Sequence, residues 1–119
     1  AQSNRITQLI RERFEHKPEF LFDKSEHTGI FRNPETKKWY AAILPINQNK
    51  LGKEDKEVEI INVKLDKDKV EALIEEIGFY PGYHMNKKYW VSIILDDTID
   101  DERVMGYVME SYQSTRKGK

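Results

Sequence analysis

The chain contains 119 residues without a cysteine, and its 20 Lys and Arg against 21 Asp and Glu leave a formal net charge of −1. Such a length fits one domain, residues 1–119, and the missing cysteines exclude disulfides, thiol catalysis and cysteine-ligated zinc. Because the chain lacks a membrane-length apolar run, a signal peptide and a basic excess, we expect a cytosolic protein in which any nucleic-acid binding rests on local patches.

The N-terminal part is predicted to form one helix and two short strands. Ser3 is placed to cap a helix over 4–16, whose apolar residues recur at helical spacing on one face. Pro18 ends this helix, because the residue before a proline avoids helical backbone angles. Strands over 19–24 and 28–32 follow, on either side of a short turn.

The middle of the chain is predicted to add two longer strands. Asn33 to Thr36 has the composition of a turn and leads into a strand over 38–46. A polar loop over 47–57 comes next. The fourth strand, over 58–65, alternates apolar and polar residues, as a strand with two different faces does.

A second helix and a fifth strand follow. Asp66 is placed to cap a helix over 67–77, which shows the i, i+3, i+4, i+7 apolar pattern through Ile77. Gly78 is placed to end this helix. The strand over 89–95 follows a turn at Pro81-Gly82, where we expect the glycine to adopt backbone angles that other residues avoid.

The last helix is predicted to begin after Asp100 and to run to about Tyr112, with acidic residues in its first turn, where the helix dipole favours them. We expect the basic tail over 114–119 to be disordered. The order is therefore α-β-β-β-β-α-β-α. Strands joined by short turns form an antiparallel sheet of about five strands, and three helices on one face complete a two-layer α+β domain.

One stretch is specialised beyond what folding needs. Residues 78–90, Gly-Phe-Tyr-Pro-Gly-Tyr-His-Met-Asn-Lys-Lys-Tyr-Trp, combine rings, turn residues and cations. Together with Asp96-Asp97 and the Ser111-Tyr112 pair, this stretch resembles the MmcQ/YjbR-like family, although Met85 stands where the family pattern has leucine. The resemblance implies a CyaY-like or secretion-chaperone-like fold, no established catalytic residue, and a proposed DNA-binding role through two hairpins, a double wing.

Eight residues are candidate nucleic-acid contacts, which lie in or beside two turns: Arg32, Lys37, Lys38, Tyr83, His84, Asn86, Lys87 and Lys88. The cations would meet phosphate, and Tyr83 with Tyr89 could stack on bases. A structural role is the alternative for two of the eight. His84 could fix the loop through its ring nitrogens, and Asn86 could adopt a left-handed turn conformation.

Other chemistry has weaker support in the sequence. The carboxylates over 96–102 fit helix capping better than a calcium loop, so no metal is expected. The three histidines lack ligand spacing, and Ser111-Tyr112 fits a helix end in which Ser111 bonds locally and Tyr112 covers the core. We therefore expect neither enzymatic activity nor a cofactor.

Weak, salt-dependent DNA binding is the leading functional hypothesis, and the oligomeric state stays open. The first alternative is a chaperone-like module that binds a protein or peptide on an exposed, ring-rich sheet face carrying Trp39, Tyr40, Tyr80 and Tyr83. A third hypothesis is a small-molecule pocket beside Tyr83 and His84.

Overall fold

The structure is a computed structural model that describes residues 1–20 and 29–116. Its helices and strands follow one another in the predicted order, apart from one additional short strand before the last one. A short 3-10 helix lies at Gln48–Leu51. In chain order they are α1 (Gln2–Phe14), β1 (Glu19–Phe20), β2 (Gly29–Arg32), β3 (Trp39–Asn47), β4 (Glu57–Lys64), α2 (Lys67–Leu73), β5 (Phe79–Pro81), β6 (Trp90–Ile94) and α3 (Asp101–Ser114).

The strands form one antiparallel sheet in the order β1-β2-β3-β4-β6-β5. The predicted α+β class is confirmed: three helices pack against this sheet and share one core with it. The sheet gains one short strand, Phe79–Pro81, beyond the five predicted. No helix among residues 1–20 and 29–116 is long and apolar enough to cross a membrane.

Helix α2 is shorter than predicted, and this changes the position of Ile77. The helix ends at Leu73, and Gly78 has a φ of 97°, a left-handed conformation that favours glycine. The chain turns here so that Phe79 can pair with Ile93. Ile77 was predicted to be buried on the helix face, but it is 82% exposed.

Two of the three predicted helix caps differ in detail. Ser3 lies inside α1, and its hydroxyl donates a hydrogen bond to Glu59 on β4. Asp66 occupies the N-cap position of α2 without a side-chain cap bond. Asp100 is confirmed as the cap of α3, because its Oδ1 accepts a bond from the Arg103 backbone N–H at 2.8 Å.

The ends of two other predicted segments also differ. Of the first predicted strand, Glu19–Phe20 is present, and residues 21–28, with the predicted turn over 25–27, lie outside the described residues. The tail was predicted to be disordered from Ser114, but Ser114 is the last residue of α3 and Thr115 is 1% exposed. The remaining three residues lie outside the described part of the chain.

Ser111 completes the ladder between β3 and β4. Phe31 pairs with Ala41 and Arg32 with Trp39, so Tyr40 is the extra residue of a β-bulge. Lys64 donates its N–H to Ser111 Oγ at 2.8 Å, and this hydroxyl donates to the Tyr40 carbonyl at 2.5 Å. The prediction that Ser111 bonds locally is therefore wrong.

An aromatic cluster surrounds the bulge and explains the Ser111-Tyr112 pair. The Tyr112 ring lies 5.2 Å from the Tyr40 ring and 4.9 Å from the Phe14 ring, measured between centroids. Tyr112 therefore covers the core, as predicted. Adjacent residues of α3 thus serve two functions: one completes the backbone ladder, and the other covers the bulged tyrosine.

Part of the sheet face opposite the helices is also buried. Ile30, Ile60 and Ile94 point to this face and are at most 1% exposed. The predicted exposed sheet face is therefore wrong for these strands. Tyr40, one of the four rings expected there, belongs instead to the helix-side core.

Candidate nucleic-acid interface

The two turns that carry the candidate residues lie on one edge of the sheet. Strand β2 ends at Arg32, β4 ends at Lys64, and β6 begins at Trp90. Because neighbouring strands are antiparallel, these three positions share an edge, and Lys64 pairs directly with Trp90. We call this edge, with the β2–β3 turn (residues 33–38) and the β5–β6 loop (residues 82–89), the basic edge.

The distance between the two turns follows from the strand order. Strands β2 and β6 are separated by β3 and β4, which makes three strand spacings. At about 4.8 Å per spacing, the turns lie roughly 14 Å apart. This separation matches the scale of a DNA groove, since the major groove of B-DNA is about 12 Å wide.

The β2–β3 turn is tied to the end of α3. Asn33 is 2% exposed, and its Nδ2 donates to Thr115 Oγ1 at 3.2 Å, while its Oδ1 accepts from the Glu35 N–H at 2.9 Å. Thr36 Oγ1 donates to the Thr115 carbonyl at 2.8 Å. These hydrogen bonds therefore fix the turn against the end of α3, whereas a wing of the double-wing type would protrude.

The three cations of this turn differ in exposure. Arg32 Nε lies 2.9 Å from Glu19 Oε2 but makes no directed hydrogen bond within the described residues, so the contact is an ion pair that neutralises Arg32. Lys37 has a φ of 66° and is exposed, and Lys38 is exposed beside it. The two lysines are therefore more exposed than Arg32.

A buried polar network anchors the β5–β6 loop. The Tyr83 N–H donates to Ser92 Oγ at 2.9 Å, and the Tyr83 carbonyl accepts from Asn62 Nδ2 at 3.1 Å. Ser92 Oγ also donates to Asn62 Oδ1, so the two side chains form one unit. Neither residue was predicted to act here, although each is a polar residue between apolar neighbours in its strand.

Gly82 is required by a close approach and not by its backbone angles. A Cβ built at Gly82 would lie 2.6 Å from the Trp90 Cβ and 2.9 Å from the Trp90 carbonyl oxygen. Gly82 does not have a positive φ, so the predicted reason for this glycine is wrong. Lys87 Nζ donates a hydrogen bond to the Gly82 carbonyl at 2.7 Å. One of the donors of this ammonium group is therefore used inside the loop.

The remaining candidates of the loop differ from their predicted structural roles. His84, not Asn86, has the left-handed conformation, with a φ of 61°. The His84 ring is exposed and lies 4.0 Å from the half-buried Tyr83 ring. Asn86 Oδ1 accepts from the Lys88 N–H at 2.9 Å, which fixes the turn and leaves the Lys88 side chain exposed.

One connection on the opposite edge of the sheet is acidic, whereas the β3–β4 loop on that edge carries Lys50, Lys53 and Lys56 against Glu54 and Asp55. The β6–α3 connection carries Asp96, Asp97 and Asp100 without a lysine or arginine, whereas the β5–β6 loop carries two lysines without an acid. Arg5 of α1 forms ion pairs with Asp97 and Asp101 there. Asp100 therefore caps α3, as predicted, while Asp97 and Asp101 are used in ion pairs. The β5–β6 loop and the β6–α3 connection thus carry opposite charge on opposite edges of the sheet.

A groove of about 490 Å³ lies at the basic edge, beside the end of β4 and on the side of the sheet that α2 and α3 cover. The end of β4, the start of α2, Tyr89 and the last turns of α3 line it. Ser114 lines one side, next to the Thr115 that holds the β2–β3 turn. The sequence analysis missed this groove, because its walls come from four separate segments.

His16 lies at the same end of the molecule, beyond the C-terminus of α1. Its Nδ1 is 2.8 Å from the Tyr40 hydroxyl. Burial raises the pKa of Tyr40 well above its usual value, so the hydroxyl stays protonated and donates to Nδ1. Burial lowers the pKa of His16, which acts as a neutral acceptor in the aromatic cluster.

The fold and site together define a small two-layer α+β domain whose candidate interface consists of two anchored basic turns. The chain belongs to the YjbR family, whose model matches residues 11–114, and this confirms the predicted resemblance. The uncharacterized protein YyaQ of Bacillus subtilis is 28% identical over 112 residues, which cover 93% of this chain and 95% of YyaQ.

Two solved structures are similar to this chain over most of its length. A Pseudomonas syringae protein, known from its crystal structure, is 28% identical with a TM-score of 0.92, covering 98% of this chain and all of that one. A Deinococcus radiodurans protein with the domain DUF419 is 27% identical with a TM-score of 0.62, covering 87% of this chain and 71% of that one. The fold and the family are therefore secure.

Proposed function

We propose that this protein binds DNA weakly through the basic edge, without catalysis or a cofactor. The observation that carries the proposal is the placement of Lys37 and Lys38 on the same edge as Lys87 and Lys88. Chain segments that are far apart in sequence thus present cations together, while the acidic β6–α3 connection lies on the opposite edge. A cytosolic location, expected from the sequence, would give the protein access to DNA.

The number of cations limits the expected affinity. If all four lysines contact phosphates, the logarithm of the association constant falls with the logarithm of salt concentration with a slope no steeper than about −4. Dissociation constants in the range of non-specific binding, roughly 10⁻⁴ to 10⁻⁶ M, are expected at physiological salt. The protein would thus act at high local concentration or beside a stronger DNA contact.

Fluorescence anisotropy of a labelled 20-base-pair duplex across a salt series tests the proposal. The test variant is the double substitution Lys37→Glu/Lys88→Glu. The matched control is Lys50→Glu/Lys56→Glu, which makes the same charge change on the β3–β4 loop at the opposite edge. We expect the test variant to lose binding at least tenfold and the control to lose far less.

Two results would overturn the proposal. One is the absence of salt-dependent binding by the unsubstituted protein even at 20 mM salt. The other is an equal loss in both double variants, because equal losses would show a dependence on total charge and not on the basic edge.

A further inference from the structure

Tyr89 gives the groove on the basic edge an aromatic wall. The side chain is 42% exposed, which is unusual among the large apolar residues of the described chain. Its backbone is fixed, because its carbonyl accepts from the Leu65 N–H at 2.8 Å and its N–H donates to the Asn86 carbonyl at 3.2 Å. An exposed ring on a fixed backbone offers a surface on which a base can stack.

The other polar residues that line the groove are two carboxylates, one amide, one serine and two lysines, Lys64 and Lys69. Asp66 and Glu110 contribute carboxylates, and Gln113 contributes both a donor and an acceptor. Lys69 Nζ lies 3.3 Å from Glu110 Oε1, so one cation is already paired inside the groove. Carboxylates repel phosphate, but they match the amino and imino N–H groups on the edge of a base.

The groove also has a suitable size and position. Its volume of about 490 Å³ lies in the range of small-molecule sites, which is about 300–1,000 Å³. The β5–β6 loop borders the groove through Tyr89, and the lining residue Ser114 precedes Thr115, which holds the β2–β3 turn. DNA whose phosphates contact these turns would therefore pass its bases over the groove.

We propose that the groove binds an unpaired guanine of DNA, with the base stacked on Tyr89 and its N1–H and N2–H₂ groups donating to Asp66 or Glu110. Guanine is favoured because it alone among the four bases presents two adjacent donors that one carboxylate can accept together. This proposal rests on the proposed function, since the lysines must first hold the DNA backbone. It adds that the basic edge selects unpaired over paired bases.

The test compares a perfect duplex with the same duplex carrying one bulged guanine or one bulged adenine, by anisotropy at low salt. We expect the guanine bulge to bind about tenfold more tightly than the perfect duplex and more tightly than the adenine bulge. Tyr89→Phe should keep this gain, and Tyr89→Ala should remove it without loss of the weak duplex binding. Asp66→Asn or Glu110→Gln should remove the preference for guanine over adenine.

The outcomes separate this proposal from the proposed function. Equal binding of perfect and bulged duplexes, still lost in Lys37→Glu/Lys88→Glu, overturns the guanine site and leaves the basic edge intact. If the Tyr89→Ala variant still bound the guanine bulge more tightly than the perfect duplex, the guanine site would also be overturned. Absence of salt-dependent binding to every duplex overturns both proposals. The comparison of duplexes uses the unsubstituted protein, so it stands even where a variant fails to fold.

Discussion

Ser111→Ala is the sharpest test of how helix and sheet are joined. Ser111 is 0% exposed, and its hydroxyl lies between the Lys64 N–H and the Tyr40 carbonyl. Alanine fits the same space but leaves both backbone groups without this partner. Each buried group left unsatisfied costs about 1–3 kcal/mol. The total is reduced because alanine has no hydroxyl that must be desolvated on folding.

The two costs do not contribute equally. Tyr40 is fully buried, whereas Lys64 is half-buried and water can reach it more easily. We therefore expect Ser111→Ala to lower the free energy of unfolding by about 2–4 kcal/mol, a large part of the roughly 5–15 kcal/mol typical of a domain. Urea denaturation followed by tryptophan fluorescence measures this change.

Ser114→Ala is the matched control for this measurement. Ser114 is half-buried on the same helix, and its hydroxyl donates only to the Ser111 carbonyl at 2.6 Å. Its removal should change the free energy of unfolding by less than about 0.5 kcal/mol, as for most surface substitutions. If Ser111→Ala proved equally mild, the hydroxyl bridge would not be the link that completes the β3–β4 ladder.

Three further predictions concern two glycines and a histidine. Gly82→Ala should destabilise the protein by about 1–3 kcal/mol in urea denaturation, because the added Cβ would collide with Trp90. Gly106→Ala should stabilise it by about 0.5–1 kcal/mol, since nothing lies within 4 Å of the added Cβ on α3; a loss of stability would contradict this. The pKa of His16 is lowered in the folded protein, so its contribution to stability is present above about pH 6.5 and is lost as the pH falls through the folded pKa. His16→Gln should therefore flatten the fall in urea midpoint between pH 7 and pH 5, and an unchanged fall would refute the assignment.

Local patterns in the sequence predicted most of the fold. Helical and strand periodicity located the major elements, and Asp100 showed its capping function through its position alone. The errors arose where a distant part of the chain decides the local structure. Ile77 continued the helical pattern of α2, but the pairing of Phe79 with Ile93 requires the chain to turn before the helix reaches it.

The candidate site was predictable in its residues but not in its assembly. Lysines beside turn residues were visible at once in the sequence. Their common edge depends on the strand order, and no local pattern of the sequence specifies that order. The ladder function of Ser111 was equally hidden, because its two partners lie 47 and 71 residues earlier in the chain.

The opposite charges of the β5–β6 loop and the β6–α3 connection, which lie on opposite edges of the sheet, have a consequence for encounters in solution. A protein with a net charge of −1 experiences little net electrostatic force from a charged surface. Opposite charges on opposite edges instead produce a torque, which turns the molecule as it approaches. Salt limits this torque to about one Debye length, roughly 8 Å at physiological ionic strength. An anionic partner would thus orient the molecule during the last ångströms of approach and would first meet the edge that carries Lys37 and Lys88.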